Sequence, residues 1–167
     1  MSDLDVKIEE LQKMVDDSGK IVFFGGAGVS TESGVPDFRS TNGLYHQHYK
    51  YPPETILSHT FYETNREEFF RFYYDKILVD GVQPNKAHLK LAEMEKAGKL
   101  LAVVTQNIDG LHQKAGNKKV YELHGTVMKN YCERCGAFYD LDFMMDQKKK
   151  GCLDPRCTKC GGPVKPD

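Results

Sequence analysis

The chain has 167 residues, with 23 basic side chains against 24 acidic ones and a pI near 6.6. That balance excludes the broad cationic field used to hold a phosphate backbone, so no direct nucleic-acid partner is expected. Mean hydropathy is −0.56, no apolar run approaches the ~18 residues that span a bilayer, and the acidic start Met1-Ser2-Asp3-Leu4-Asp5 is unlike a signal peptide; no membrane association and a cytoplasmic location are the expectation.

Residues 3–17 read as an amphipathic helix, with Leu4, Ile8, Leu11 and Val15 at helical spacing behind a Ser2/Asp5 capping box. After Gly19, the apolar run Lys20 to Phe24 reads as a buried strand, punctuated by Gly25-Gly26-Ala27-Gly28. Residues 33–59 are rich in Gly, Pro, Asn, Tyr and His without a period, which predicts a long loop. Asn65 followed by Glu68 predicts a helix to about Leu78, and Pro84 with Gly98 frames the next one. Leu100 to Val104 reads as a second strand, residues 109–115 as a short helix, and residues 119–123 as a third strand ending at His124-Gly125. This alternation predicts an α/β fold: a Rossmann-like parallel sheet over residues 1–125, with a helical and loop insertion at about 33–80. From Tyr131 the composition shifts to cysteines and the Lys148-Lys149-Lys150 run, so residues 126–167 read as a separate small zinc-binding module.

The cysteines carry the most specific spacing. Five is an odd number, which favours a metal site over a disulfide framework. Cys132-Glu133-Arg134-Cys135-Gly136 and Cys157-Thr158-Lys159-Cys160-Gly161 are near-identical CxxC-Gly knuckles. Twenty-one residues separate them, close to the ~15–20 of a common four-cysteine zinc pattern. Four thiolates suit one tetrahedral Zn2+ in a closed, structural site. Unrelated buried cysteines and a redox CxxC are the competing readings. Cys152 is the spare: it could replace Cys157, but its neighbours lack the knuckle pattern.

The glycine loop is the second signal. Gly26-Ala27-Gly28-Val29-Ser30 after a strand can turn backbone N–H groups toward a pyrophosphate, although Thr31 stands where the full dinucleotide fingerprint has its third glycine. A plain tight turn remains an equal reading. All three strands end in polar residues, at Gly26–Ser30, at Gln106-Asn107 with Asp109, and at His124. A parallel sheet would bring these ends to one crevice. Histidine is the side chain best suited to proton transfer, which makes His124 the best general-base candidate, with a hydrogen-bonded structural histidine as the even alternative. Of the other histidines, at 46, 48, 59, 88 and 112, only His46 and His48 pair closely, and no site role is read for them.

Taken together, these residues resemble a family. Gly26-Ala27-Gly28-Val29-Ser30-Thr31-Glu32-Ser33-Gly34-Val35-Pro36-Asp37-Phe38-Arg39 looks like the GAGxS…GxPDFR signature of sirtuins, the NAD-dependent protein lysine deacylases. Thr105-Gln106-Asn107-Ile108-Asp109-Gly110-Leu111-His112 resembles their TQNIDxLH motif, Leu123-His124-Gly125 their HG motif, and the two knuckles their zinc module. The resemblance runs from about residue 20 to the last residue. It implies transfer of an acetyl group from a lysine of an acetylated protein or peptide to ADP-ribose, with nicotinamide released. NAD would be the cosubstrate and one Zn2+ structural.

The resemblance also implies roles. His124 would be the general base on a ribose hydroxyl. Ala27, Thr31 and Arg39 would lie on the loop around the diphosphate and ribose, with Gly26, Gly28, Ser30, Pro36 and Asp37 completing the cofactor-binding set. Gln106 and Asn107 would hold the reacting ribose, Ile108 and Asp109 would receive the nicotinamide carboxamide, and Phe38 would cover the reacting centre. Cys132, Cys135, Cys157 and Cys160 would hold the zinc. Tyr73-Tyr74-Asp75-Lys76 is similar to the Tyr-x-x-Arg pattern of desuccinylating members, but lysine stands where a bidentate arginine would clamp a second carboxylate. Acetyl-lysine is therefore the expected substrate. Sirtuins continue past the second knuckle with the other half of the sheet, so the chain is expected to be the N-terminal part of a longer polypeptide, with Ile21-Val22-Phe23-Phe24 as a bare apolar edge. The alternatives to an enzyme are a non-catalytic NAD- or ADP-ribose-binding module and a zinc-ribbon interaction module.

Overall fold

A computed structural model describes residues 2–38, 40, 43–46 and 49–167. The expectations for Arg39, His48 and the His46 side chain fall outside the described residues. The chain opens with helix α1, Asp3–Asp17, capped as expected: the Asp5 N–H donates to Ser2 Oγ while the Ser2 N–H donates to the Asp5 carboxylate. Strand β1, Ile21–Gly25, follows, then a 3₁₀ segment over Ala27–Ser33.

The stretch expected as a long loop is partly helical. A 3₁₀ turn at Leu44–His46 precedes α2, Pro53–Ile56, and α3, His59–Thr64. These helices are too short to show a helical period, and their starts rest on local chemistry: Pro53 occupies the first helical turn, and Ser58 Oγ accepts the Phe61 N–H. Aromatic packing replaces periodicity, with Tyr51 edge-on to Phe61 at 5.0 Å and Tyr49 edge-on to Phe72 at 5.1 Å. Helix α4, Arg66–Phe72, begins after Asn65, whose side chain turns to Thr64 Oγ1 and caps nothing. It runs into a π-helical turn at Tyr73–Ile77.

Helix α5, Lys86–Lys96, leads to β2, Leu100–Thr105; α6, Leu111–Ala115, leads to β3, Val120–Glu122. The remainder is β4, Lys129–Cys132; β5, Phe138–Asp140; α7, Leu141–Lys149; and β6, Val164–Pro166.

Two three-stranded sheets result. Strands β1-β2-β3 are all parallel, whereas β4 lies between β5 and β6 in an antiparallel sheet. The fold is thus the expected α/β arrangement with a parallel sheet and a cysteine-bearing ribbon. The parallel register pairs Gly25 with Thr105 and Thr105 with Glu122, so all three strands finish on one line. Leu91 and Met94 of α5 pack with Leu100, Val103, Ile21 and Phe23 on one sheet face. On the other face Val22, Phe24 and Tyr121 are exposed, and no residue of α1 is buried. A larger core joins Tyr62, Phe69 and Phe70 of the helical layer to Cys132, Met144, Cys157 and Val164 of the ribbon. Among the described residues no helix is long and apolar enough to cross a membrane.

Candidate functional site

Because the parallel strands end in register, the segments that follow them share one edge. Gln106 N–H donates to the Gly25 carbonyl at 3.0 Å, and Leu123 N–H to the Thr105 carbonyl at 2.9 Å. The glycine loop, the Gln106–Asp109 segment and His124 therefore leave from adjacent points of the sheet's carboxyl edge, where parallel sheets bind ligands.

Three of the expected residues meet directly. Ser30 Oγ donates to Asp109 Oδ2 at 2.6 Å and accepts from Asn107 Nδ2 at 2.9 Å. The other carboxylate oxygen of Asp109 accepts the Leu111 N–H at 2.9 Å. Ser30 is fully buried and Asn107 nearly so. The cluster is thus fixed from within, with the serine proton directed to the carboxylate.

A fourth member carries no signal in the histidine spacing. His88 is fully buried, 3.4 Å from Ser30 Oγ through Nε2. Its Nδ1 accepts the Asn85 N–H at 3.3 Å, which leaves the ring proton on Nε2, pointing at the serine. Asn85 caps α5, accepting from the Ala87 and His88 N–H groups, and its Nδ2 donates to the Val29 carbonyl at 2.7 Å. Asn85-x-x-His88 is therefore a capping box whose partner is histidine in place of the usual Glu or Gln, and that pattern was the available clue. His112 lies beside it, ring centres 4.7 Å apart, buried, with neither ring nitrogen partnered. Burial first, then the His88 ring, push its pKa down to about 4 against the pull of Asp109.

The remaining expected residues take separate positions. Gly26 precedes the 3₁₀ segment that holds Ala27, Gly28 and Thr31; Thr31 Oγ1 donates to the Gly28 carbonyl at 3.0 Å. The space above Gly28 is open, so the loop backbone is reachable from outside. Pro36 and Asp37 follow in irregular chain that bends at Phe38; Asp37 Oδ1 accepts the Ser40 N–H, and Phe38 packs edge-on to Tyr45 at 5.6 Å. Ile108 packs against the large core, and its carbonyl accepts the Val127 N–H. Gln106 is exposed. His124 is exposed on the turn after β3, and among the described residues no hydrogen bond joins it to the Ser30 cluster. The turn needs Gly125: its φ is +78°, and a Cβ there would stand 2.7 Å from the Asp167 carbonyl oxygen. A cavity of about 790 Å³ opens beside Asp109, lined by Val35, Leu78, Leu111 and Val127 among others.

The four knuckle cysteines converge as their spacing predicts. Their sulfurs lie within 4.8 Å of one another, with Cys132–Cys160 at 3.5 Å and Cys135–Cys157 at 3.6 Å. Tetrahedral zinc with Zn–S near 2.3 Å needs sulfurs about 3.8 Å apart, so the set fits one ion and leaves no open coordination position. Cys152 is not in the cluster. Backbone N–H groups of Lys159 and Gly162 point at Cys157 and Cys160, each at 3.4 Å. A Cβ on Gly162 would fall 2.7 Å from Arg134 Cβ and 3.0 Å from the Cys132 sulfur, so only glycine fits there. A hydrogen bond from Tyr139 is the main cause that holds the Cys157 thiol down at about 6.

Comparison with known proteins adds the family. The model of the Sir2 family matches residues 26–167. The chain belongs to the Sir2 family. It is 56% identical over 163 residues to an NAD-dependent protein deacetylase of Clostridium acetobutylicum, covering 96% of this chain and 65% of that protein. An NAD-dependent protein deacetylase of Clostridium perfringens is 54% identical over 166 residues, covering 98% and 66%. The chain thus spans just under two thirds of the length of these Sir2-family relatives. Among solved structures, a Sir2 with a deacetylated p53 peptide and 3′-O-acetyl ADP-ribose superposes with a TM-score of 0.85 at 38% identity, covering 96% of this chain and 63% of the other. A Sir2 with a p53 peptide and NAD gives 0.80 at 37% identity, covering 95% and 62%.

Proposed function

We propose that this Sir2-family chain serves NAD-dependent deacetylation of lysine in a protein or peptide, in the cytoplasm. The observation that carries the reading is the Ser30–Asn107–Asp109 set at the carboxyl edge of the parallel sheet, in a chain 56% identical to an NAD-dependent protein deacetylase. NAD, when bound, supplies an activated ribose carbon for the acetyl-lysine oxygen and, after nicotinamide leaves, the ADP-ribose that accepts the acetyl group.

The chain's own residues do the rest. Gly26, Ala27, Gly28, Thr31, Pro36, Asp37 and Arg39 belong to the loop against the diphosphate and its ribose, where the non-proline residues offer backbone N–H groups to anionic oxygens and Pro36, which has none, serves only to shape the loop. Gln106 and Asn107 hold the reacting ribose. Asp109, aligned by Ser30, accepts from the nicotinamide amide, with Ile108 supplying its backbone and apolar cover. Phe38 excludes water, which strengthens every dipole in the site. His124, exposed and unpartnered by the Ser30 cluster, is free to take a ribose proton as general base. Cys132, Cys135, Cys157 and Cys160 hold one structural Zn2+. Within this reading, residues 1–125 are the nucleotide-binding part, with the insertion at 33–80, and residues 126–167 the zinc module.

Lys76 bears on the acyl group. It is held by Asp75 at 3.0 Å and lies 5.7 Å from the Tyr49 ring centre, so it is already engaged and a poor clamp for a second carboxylate. We therefore assign acetyl-lysine as substrate over succinyl-lysine. The test is nicotinamide release from NAD with acetylated and succinylated forms of one peptide. Release with the acetylated form alone, lost in His124→Ala while NAD still binds by calorimetry, supports the reading; release independent of peptide, or retained in His124→Ala, overturns it.

A further inference from the structure

Tyr139 stands between the two cysteine knuckles. It lies on β5, paired with Asn130 of β4, the strand that ends at Cys132. The side chain of Asn130, fully buried, donates to the carbonyls of Tyr139 and Asp140, both at 3.3 Å. The Tyr139 ring packs on Phe143 of α7 with centres 4.3 Å apart. Backbone, neighbouring amide and ring contact therefore fix where the hydroxyl points, and it points across the cluster: Oη is 3.1 Å from Cys157 Sγ in the second knuckle.

The hydroxyl's other partners set the direction of its proton. The Thr158 N–H donates to Tyr139 Oη at 2.8 Å, and Thr158 Oγ1 lies 3.1 Å away. With an acceptor lone pair already used by an N–H, the Oη proton is directed to the sulfur, and accepting that bond makes it a stronger donor. Cys157 thereby accepts from the Tyr139 hydroxyl in addition to backbone donors such as the Lys159 N–H. Four thiolates around a divalent ion leave a net charge of −2, and such donors draw that charge off the sulfurs.

We propose that Tyr139 is a positioning residue of the zinc centre, whose hydroxyl hydrogen-bonds the Cys157 thiolate, locks the second knuckle onto the first and slows loss of the metal. The inference concerns metal retention alone and does not depend on the deacetylase reading.

Tyr139→Phe keeps the ring on Phe143 and removes only the hydroxyl. Loss of an outer-shell partner typically weakens metal binding about 10- to 100-fold, so the zinc dissociation constant, read by chelator competition on the full chain, should rise at least about tenfold. With Co2+ in place of zinc, the sulfur-to-cobalt charge-transfer band should move to longer wavelength, because an unbonded thiolate gives up electron density more easily. Phe143→Leu disturbs the packing but keeps the hydroxyl, and should leave the band in place. Uniform 3-fluorotyrosine labelling, which strengthens the donor without changing the fold, should move the band to shorter wavelength even if Tyr139→Phe fails to fold. An unchanged band in both Tyr139→Phe and the labelled protein, an unchanged zinc affinity in Tyr139→Phe, or an equal shift in Phe143→Leu, overturns the proposal.

Discussion

Replacing Ser30 by alanine removes one oxygen and leaves three groups without it. Asp109 Oδ2 loses a 2.6 Å bond to an O–H donor, Asn107 Nδ2 loses its 2.9 Å acceptor, and the His88 Nε2 proton loses its weaker contact at 3.4 Å. A hydrogen bond to a charged group contributes about 1.5–3 kcal/mol, and a buried donor left unsatisfied costs about 1–3 kcal/mol. The long His88 contact adds little. Together these come to about 2.5–6 kcal/mol, which for a chain of this size lowers the melting temperature by about 5–24 °C. The second consequence is functional, since Asp109 is then held only through the Leu111 N–H on its other oxygen. NAD affinity measured by calorimetry should fall at least about tenfold, which is about 1.4 kcal/mol. Ser30→Cys, with a weaker donor of similar shape, should fall between. A melting temperature within about 2 °C of the parent, together with unchanged NAD affinity, refutes the assigned network.

Other consequences are as specific. The His112 pKa, pushed down to about 4 from an ordinary 6.5, means that the folded protein resists protonating this ring. Stability is therefore full above about pH 6.5 and falls as pH drops toward 4, by up to about 3 kcal/mol; His112→Leu, which deletes two unpartnered nitrogens, should flatten that slope in melts from pH 7 to 4, and an unchanged slope counts against the assignment. Stripping zinc with a chelator should raise hydrogen exchange in β4–β6 and also in α3 and α4, because they share one core with Cys132 and Cys157. Protection in β1–β3 should persist; exchange that rises equally throughout contradicts the two-core packing. Gly125→Ala should cost about 2 kcal/mol or more, read as a lower melting temperature, since the new Cβ meets the Asp167 carbonyl at a left-handed φ; no loss would mean the turn is more open than described.

The parallel sheet was legible because its signals are local: Ile21–Phe24 and Leu100–Val104 are apolar runs bounded by glycine and polar residues, and the polar ends line up once the strands pair in register. The cysteine cluster was legible for the same reason, as two short repeats of fixed spacing. The helical layer was not. Helices α2 and α3 have four and six residues, below any period; α2 is held through buried Pro53 and Ile56, and α3 through aromatic contacts to residues outside it, Phe61 with Tyr51 and Tyr62 with Phe69. Asn65 has the residue type of a cap, yet its amide bonds Thr64, while the cap at Asn85 carries no familiar signature because His88 stands where Glu or Gln is the usual partner. His88 and Tyr139 share one reason for being invisible: each acts on a residue distant in sequence, Ser30 at 58 positions and Cys157 at 18, and only the folded chain brings those pairs within reach.

The most direct test of the functional account is product analysis by mass spectrometry after incubation with NAD and a peptide carrying one acetyl-lysine. The account predicts nicotinamide, deacetylated peptide and acetyl-ADP-ribose in equal amounts, none of them formed when either reactant is left out. Deacetylated peptide accompanied by free acetate, with NAD unconsumed, would contradict it.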